Sequence, residues 1–297
     1  MIKIDRTGVT KPDVLTKSEN KSSNETERSI AFHSAPNYDG KKSFDFSEYR
    51  KPEIKEALRK LSSEKCAYCE STFLHTYPGD VEHFRPKGEI TEAGPNQKPG
   101  YYWLASDWDN LLFSCRNCNQ QLSHNMFGEN GKIKKGKMNQ FPLSDSSKYV
   151  RQHDNANGIE DEEPYRLLLN PYKDNPENHL EYGAEGTIRA KKDAEGNESP
   201  KGKTSIDVYV LQRVELVKCR EKHLISIQAQ IERVSEALEN FNDEVKNQND
   251  VKIKKFESVL NRELDCLRNF LKKNEPYLGL TRQIVGDFLK KNFNINI

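Results

Sequence analysis

The sequence predicts an α+β fold that is mainly helical and built on a small cysteine-stapled core. Three observations carry that prediction. Two C-x-x-C pairs, Cys66 with Cys69 and Cys115 with Cys118, bracket a stretch of short apolar runs. From about Val208 to Leu238, and again over Ile253, Phe256, Leu260, Leu264, Leu267 and Phe270, apolar residues recur every three or four positions, the period of an amphipathic helix. Between these regions, "HLEYGAEGTIRAK" alternates around a glycine-containing turn and reads as a hairpin.

The chain has 297 residues, 34% of them hydrophobic and 31% charged, so it can bury a core while being more polar than an average domain. Its formal net charge of +1 gives no global signature of nucleic-acid binding. The charge is segregated instead. Residues 115–151 hold seven basic side chains against two acidic ones, and residues 152–200 hold five against twelve. No apolar run is long enough to cross a bilayer, and "MIKIDRTGVTKPDVL" lacks the unbroken apolar stretch of a signal peptide, so a cytoplasmic, membrane-free protein is expected. In a reducing cytosol six cysteines point to metal rather than to a disulfide framework.

Three parts follow in order. Residues 1–49, Ser/Asn/Lys-rich around "TKSENKSSNETERS", read as an extended polar N-terminal arm. Residues 50–150 hold the paired cysteines and both tryptophans, and "KPEIKEALRKLSSEK" places Ile54, Leu58 and Leu61 at helical spacing. Residues 151–297 run from an acidic connector through "YRLLLNPY" and the hairpin into a helical C-terminal region.

A C-x-x-C pair offers two thiolates from one tight knuckle to the same tetrahedral ion, and two such pairs make a closed four-cysteine zinc site. Cys219 and Cys266 each stand alone in a helical stretch and read as core residues. The 45 residues between the knuckles are too many for a simple zinc ribbon and must contain structure. They include "DVEHFRP", with Glu82 and His83 flanked by apolar residues, and "WDNLLFSC", which turns at Asn110 and runs into the second knuckle. After Cys118 come Asn119 and "QQLSHNMF", where Leu122 and Met126 at i,i+4 suit a short helix. The expected order is knuckle, strand, turn, knuckle and helix.

The stretch "CAYC…DVEHFRP…WDNLLFSCRNCN" resembles the HNH endonuclease family in its zinc-stapled, ββα-metal form. The resemblance implies that Glu82 and Asn119 hold a catalytic divalent ion, that His83 is the general base activating water, and that Asn110 is the central asparagine orienting it. Glu stands at 82 where Asp is commoner, and Asn119 stands where many members carry a second histidine. The chemistry suits these residue types. Histidine, with an ordinary pKa of about 6.5, can deprotonate water near neutrality, and oxygen ligands suit Mg²⁺ or Mn²⁺ while thiolates suit zinc.

Arg85 and Lys87, beside His83, are the expected phosphate contacts, with Lys132, Lys134 and Lys135 behind them. Those lysines lie in "GKIKKGKM", which falls short of a phosphate-binding G-x-x-x-x-G-K-[ST] loop because Met138 replaces the hydroxyl residue, and which reads as a flexible basic loop. His124 lies about 140° around an α-helix from Asn119, so a helix-surface or DNA-contacting role is expected for it. His75 reads as an exposed loop residue. More diffusely, most of the chain resembles the HNH component of Septu-type and retron-associated antiphage systems, which implies an ABC/SMC-like ATPase as partner and helices after residue 205 as docking surfaces. DNA is the expected substrate, although phosphodiester chemistry is shared with RNA and no base-reading motif separates them. The alternative is a non-catalytic four-cysteine module that binds nucleic acid or a protein. An acid–histidine pair between the knuckles serves no purpose in such a module.

Overall fold

Two short strands carry the acid–histidine pair and the approach to the second knuckle. In the computed structural model, which describes residues 1–15, 23–94, 97–155 and 158–296, β1 (Asp80–His83) pairs antiparallel with β2 (Leu111–Ser114). Asp80 lies opposite Ser114 and His83 opposite Leu111. The apolar run of β2 is buried along its whole length. Gly79 enters β1 with φ +80°, and a Cβ there would sit 2.3 Å from the Phe113 ring, so only glycine fits. The expected helix forms as α2 (Pro52–Leu61), with Pro52 at its start and Ile54, Leu58 and Leu61 buried against both strands.

Beyond the second knuckle the expectation of a helix fails. Only α3 (Arg116–Asn119), a single turn, is helical. Leu122–Asn125 form β3, paired antiparallel with β4 (Lys132–Lys135). A spacing of four fits a strand's period of two as well as a helical turn, so Leu122 and Met126 could not discriminate. The turn is set by Gly128 and Gly131, both left-handed at φ +79° and +84°. The supposedly flexible basic loop is therefore β4 and its return. At Gly136 the return comes so close that a Cβ would lie 1.9 Å from the Gln120 carbonyl oxygen.

The polar N-terminal segment is also more ordered than an extended arm. Residues 16–22 lie outside the described residues. Glu25–His33 form α1, closed by a capping box in which Asn24 and Glu27 satisfy each other's backbone N–H. Glu25 is buried and accepts hydrogen bonds from the Ser47 and Glu48 amides and from Ser106 Oγ. The Met1 amine is buried against Glu70 Oε1 and the Tyr182 hydroxyl, 2.5 Å from each. Apolar periodicity cannot register order that rests on caps and buried polar bonds.

The alternating segment forms the expected hairpin, β5 (Leu180–Tyr182) with β6 (Ile188–Ala190). It is followed by α4 (Pro200–Val208), α5 (Val214–Lys246), α6 (Asp250–Asn269) and α7 (Leu278–Phe293), with α5 packed along α6. Cys219 and Cys266 are exposed, not core residues. Their neighbours Arg220 and Leu267 take the inward face, and each cysteine falls one residue outside the stripe. One apolar core joins residues from Met1 to Val285, and the knuckle residue Tyr68 stacks on Tyr209 with ring centroids 3.9 Å apart. Among the described residues no helix is long and apolar enough to cross a membrane.

Candidate active site beside a four-cysteine cluster

The two knuckles converge. The sulfurs of Cys66, Cys69, Cys115 and Cys118 lie within 4.8 Å of one another, all buried. Zinc–thiolate bonds of about 2.3 Å in a tetrahedron put neighbouring sulfurs about 3.8 Å apart, and Cys69 Sγ is 3.8 Å from Cys115 Sγ. The cluster therefore fits a metal ion such as zinc. Burial pushes the Cys66 and Cys118 thiols well up, whereas bonds from the other thiols, assisted by the Arg213 guanidinium, hold Cys69 well down. Arg213, at the start of α5, is itself buried, with Nη1 3.5 Å from Cys118 Sγ and Nη2 3.5 Å from Cys69 Sγ. A guanidinium there offsets the negative charge that four thiolates leave on a Zn²⁺ site. Arg213→Met is expected to weaken zinc binding roughly 10–100-fold, as measured by chelator competition.

On the outer side of β1 lies a polar cleft of about 650 Å³ lined by Asp80, Glu82, His83, Lys87 and Asn119 among others. Asp80 and Glu82 share one face of the strand because side chains alternate. Glu82 is buried, and its Oε1 lies 2.6 Å from Lys137 Nζ. Burial raises the Glu82 pKa, and the Lys137 charge opposes that rise. His83 is buried with Nε2 2.9 Å from the Ala105 carbonyl oxygen. A carbonyl can only accept, so the neutral imidazole carries its proton on Nε2 and keeps Nδ1 as the basic nitrogen. Burial, with smaller contributions from the Lys87 and Lys137 charges, holds the His83 pKa well below 6.5, so the ring is neutral at pH 7. Tyr49 meets the ring edge-on, with centroids 4.5 Å apart.

Asn110, buried at the turn into β2, clamps the chain just after the pair. Its Oδ1 accepts from the Arg85 amide at 2.7 Å, and its Nδ2 donates to the Arg85 and Leu104 carbonyls at 3.0 Å each. Asn119 donates from Nδ2 to Asp80 Oδ2 at 2.9 Å, which leaves its side-chain oxygen Oδ1 without a partner among the described residues, at the cleft. Asp80 in turn accepts from the Tyr77 hydroxyl. A buried carboxylate and an amide oxygen at one cleft form a donor set suited to a hard divalent ion.

The expected residues thus divide. Glu82, His83 and Asn119 meet at the cleft with Lys87, whose Nζ lies 4.5 Å from the Tyr49 ring centroid. Arg85 does not face the cleft: it is buried, with Nε 2.9 Å from Glu162 Oε1 and Nη2 2.7 Å from Glu163 Oε2, so its charge is spent inside the fold. Lys132 and Lys134 stay exposed on β4 outside the cleft lining, while Lys135 is paired with Asp207. His124 is buried on β3 rather than displayed on a helix, because its strand position points inward. His75 is exposed, as expected. The sequence reading missed Asp80, Lys137, Arg213 and the cleft cations Arg50 and Lys55. Only Asp80 left a signal, as the alternate-position partner of Glu82.

Fold and site together define an α+β protein in which a four-cysteine cluster able to hold a metal ion backs a cleft bearing a carboxylate, an amide and a neutral histidine. No family model matches the chain. It is 34% identical over 255 residues to Septu protein PtuB of Bacillus mycoides (strain KBAB4), covering 84% of this chain and 78% of that protein. A Septu protein PtuB of Bacillus thuringiensis is 32% identical over 201 residues, covering 66% of this chain and 56% of the relative. The chain belongs to the Septu PtuB family. It is also 26% identical over 177 residues to Septu protein PtuA of Bacillus mycoides (strain KBAB4), a match to 56% of this chain and 20% of that protein.

Proposed function

We propose that the chain is a divalent-metal-dependent HNH endonuclease that hydrolyses nucleic-acid phosphodiester bonds, DNA in the first place, as the cutting component of a Septu antiphage system with a PtuA-like ABC/SMC-type ATPase. The observation that carries this reading is the tautomer lock on His83. Its Nε2 is committed to the Ala105 carbonyl, and its Nδ1 is left basic at a cleft shared with Glu82 and Asn119.

In this reading β1, β2 and α3 are a reduced ββα-metal core, stapled by zinc on the four cysteines. A Mg²⁺ or Mn²⁺ ion held by Glu82 and Asn119 would supply the positive charge that the scissile phosphate and its leaving oxygen require. His83 Nδ1 takes the proton of the attacking water. The new P–O bond forms as the bond to the leaving oxygen breaks, and the imidazolium keeps its hydrogen bond to Ala105. Asn110 holds the chain after His83 so that the ring does not swing. Lys87, Arg50 and Lys55 meet the phosphate backbone at the rim.

The test is cleavage of plasmid and linear DNA, and of RNA, by the chain alone and co-purified with its ATPase partner, with Mn²⁺ or Mg²⁺ and with chelator. Metal-dependent cutting supports the proposal. Absence of cutting by both preparations overturns it. Because burial holds His83 below its ordinary 6.5, the base form persists into mild acid. The rate is therefore expected to stay on its plateau at pH 6.5 and to fall only at lower pH. A midpoint at or above 6.5 would contradict that.

A further inference from the structure

Lys137 is fully buried and directed at the strand that bears the acid–histidine pair. Its Nζ lies 2.6 Å from Glu82 Oε1 and donates to the His83 carbonyl oxygen at 2.8 Å. It reaches this place because the β3–β4 hairpin leaves the chain at Gln120 and returns at Gly136. The Lys137 amide then donates to the Cys118 carbonyl, and the Met138 amide to the Asn119 carbonyl. One lysine therefore ties three parts of the site: the glutamate, the backbone of the base, and the turn that carries Asn119.

We propose that Lys137 is the positioning residue of the divalent-ion site. The ammonium takes one oxygen of Glu82 and thereby sets the carboxylate plane. Oε1 is sealed from solvent beside the ammonium, and Oε2 is the oxygen left for a cation at the cleft. Asp80 does the same for Asn119 with opposite polarity, holding the amide nitrogen so that the carbonyl oxygen is presented. The inference rests on the divalent site of the proposed function. The competing physical effect has the opposite sign: if the ammonium acted only as a nearby positive charge, its removal would tighten cation binding.

The test is Mn²⁺ binding to the full chain followed by electron paramagnetic resonance, with zinc content and melting temperature measured on the same samples. In Lys137→Met the Mn²⁺ dissociation constant is expected to rise roughly 10–100-fold, the usual effect of losing a partner behind a metal ligand. Lys137→Arg, which keeps a donor of the same charge, is expected to recover most of that loss. The Lys137→Met change is further expected to add nothing to Glu82→Gln, since both act through one carboxylate. Wild-type or tighter Mn²⁺ affinity in Lys137→Met, or effects that add in the double variant, would overturn this proposal while leaving the divalent site standing. A wild-type chain that binds no Mn²⁺ would overturn the divalent site and this proposal with it.

Discussion

His83→Ala is expected to lower metal-dependent cleavage by at least about 10²–10⁴-fold, the range attributed to a positioned acid–base group. Zinc content and melting behaviour should stay near those of the wild type. The two expectations follow from one geometry. Among the described residues the imidazole makes a single hydrogen bond, to the Ala105 carbonyl, and one aromatic edge contact, to Tyr49. Its removal therefore takes away the basic Nδ1 without unpinning β1, which remains held by β2, by Asn110 and by Lys137. Undiminished cleavage by His83→Ala would remove the base from the mechanism. A collapse of zinc content in that variant would show that the residue is structural instead.

Cys66→Ser is expected to do the opposite, abolishing folding of the region around the cleft together with zinc binding. Four buried thiolates converge where β2 ends and α3 begins, and the apparent free energy of such a structural zinc site is on the order of 10–16 kcal/mol at neutral pH. That is as large as the whole stability of a typical domain, about 5–15 kcal/mol. The Cys66 loop also donates the Ala67 amide to the Phe113 carbonyl, so loss of the knuckle loosens the edge of β2 directly. The check is zinc stoichiometry and thermal unfolding of the two chains side by side. Equal values would refute the structural role.

Legibility in the sequence followed the range of each signal. The two C-x-x-C pairs were readable because their fixed spacing is itself the signal, the family resemblance singled out Glu82, His83 and Asn119, which the fold brings to one cleft, and α2, the β5–β6 hairpin and the long C-terminal helices were readable because apolar periodicity is local. Lys137 was unreadable. It is one of four lysines in "GKIKKGKM", and only the closure of the hairpin at Gly136 decides that it is the one fully buried. Arg85 failed for the complementary reason: proximity to His83 in sequence suggested the cleft, but β1 ends at His83, and Glu162, 77 residues away, claims the guanidinium. Arg213 likewise joins the cysteine cluster from 95 residues beyond Cys118, which no spacing rule anticipates. The strand at Leu122–Asn125 was not legible because a four-residue apolar spacing fits both the helical and the strand period.

The measurement that bears most directly on the account is an anomalous-difference map of crystals grown with zinc and soaked in Mn²⁺, recorded at energies that tell the two metals apart. Zinc is expected among Cys66, Cys69, Cys115 and Cys118, and manganese in the cleft against Glu82 and Asn119 on the side of His83. Manganese absent from the cleft, or bound only at surface carboxylates, would contradict it.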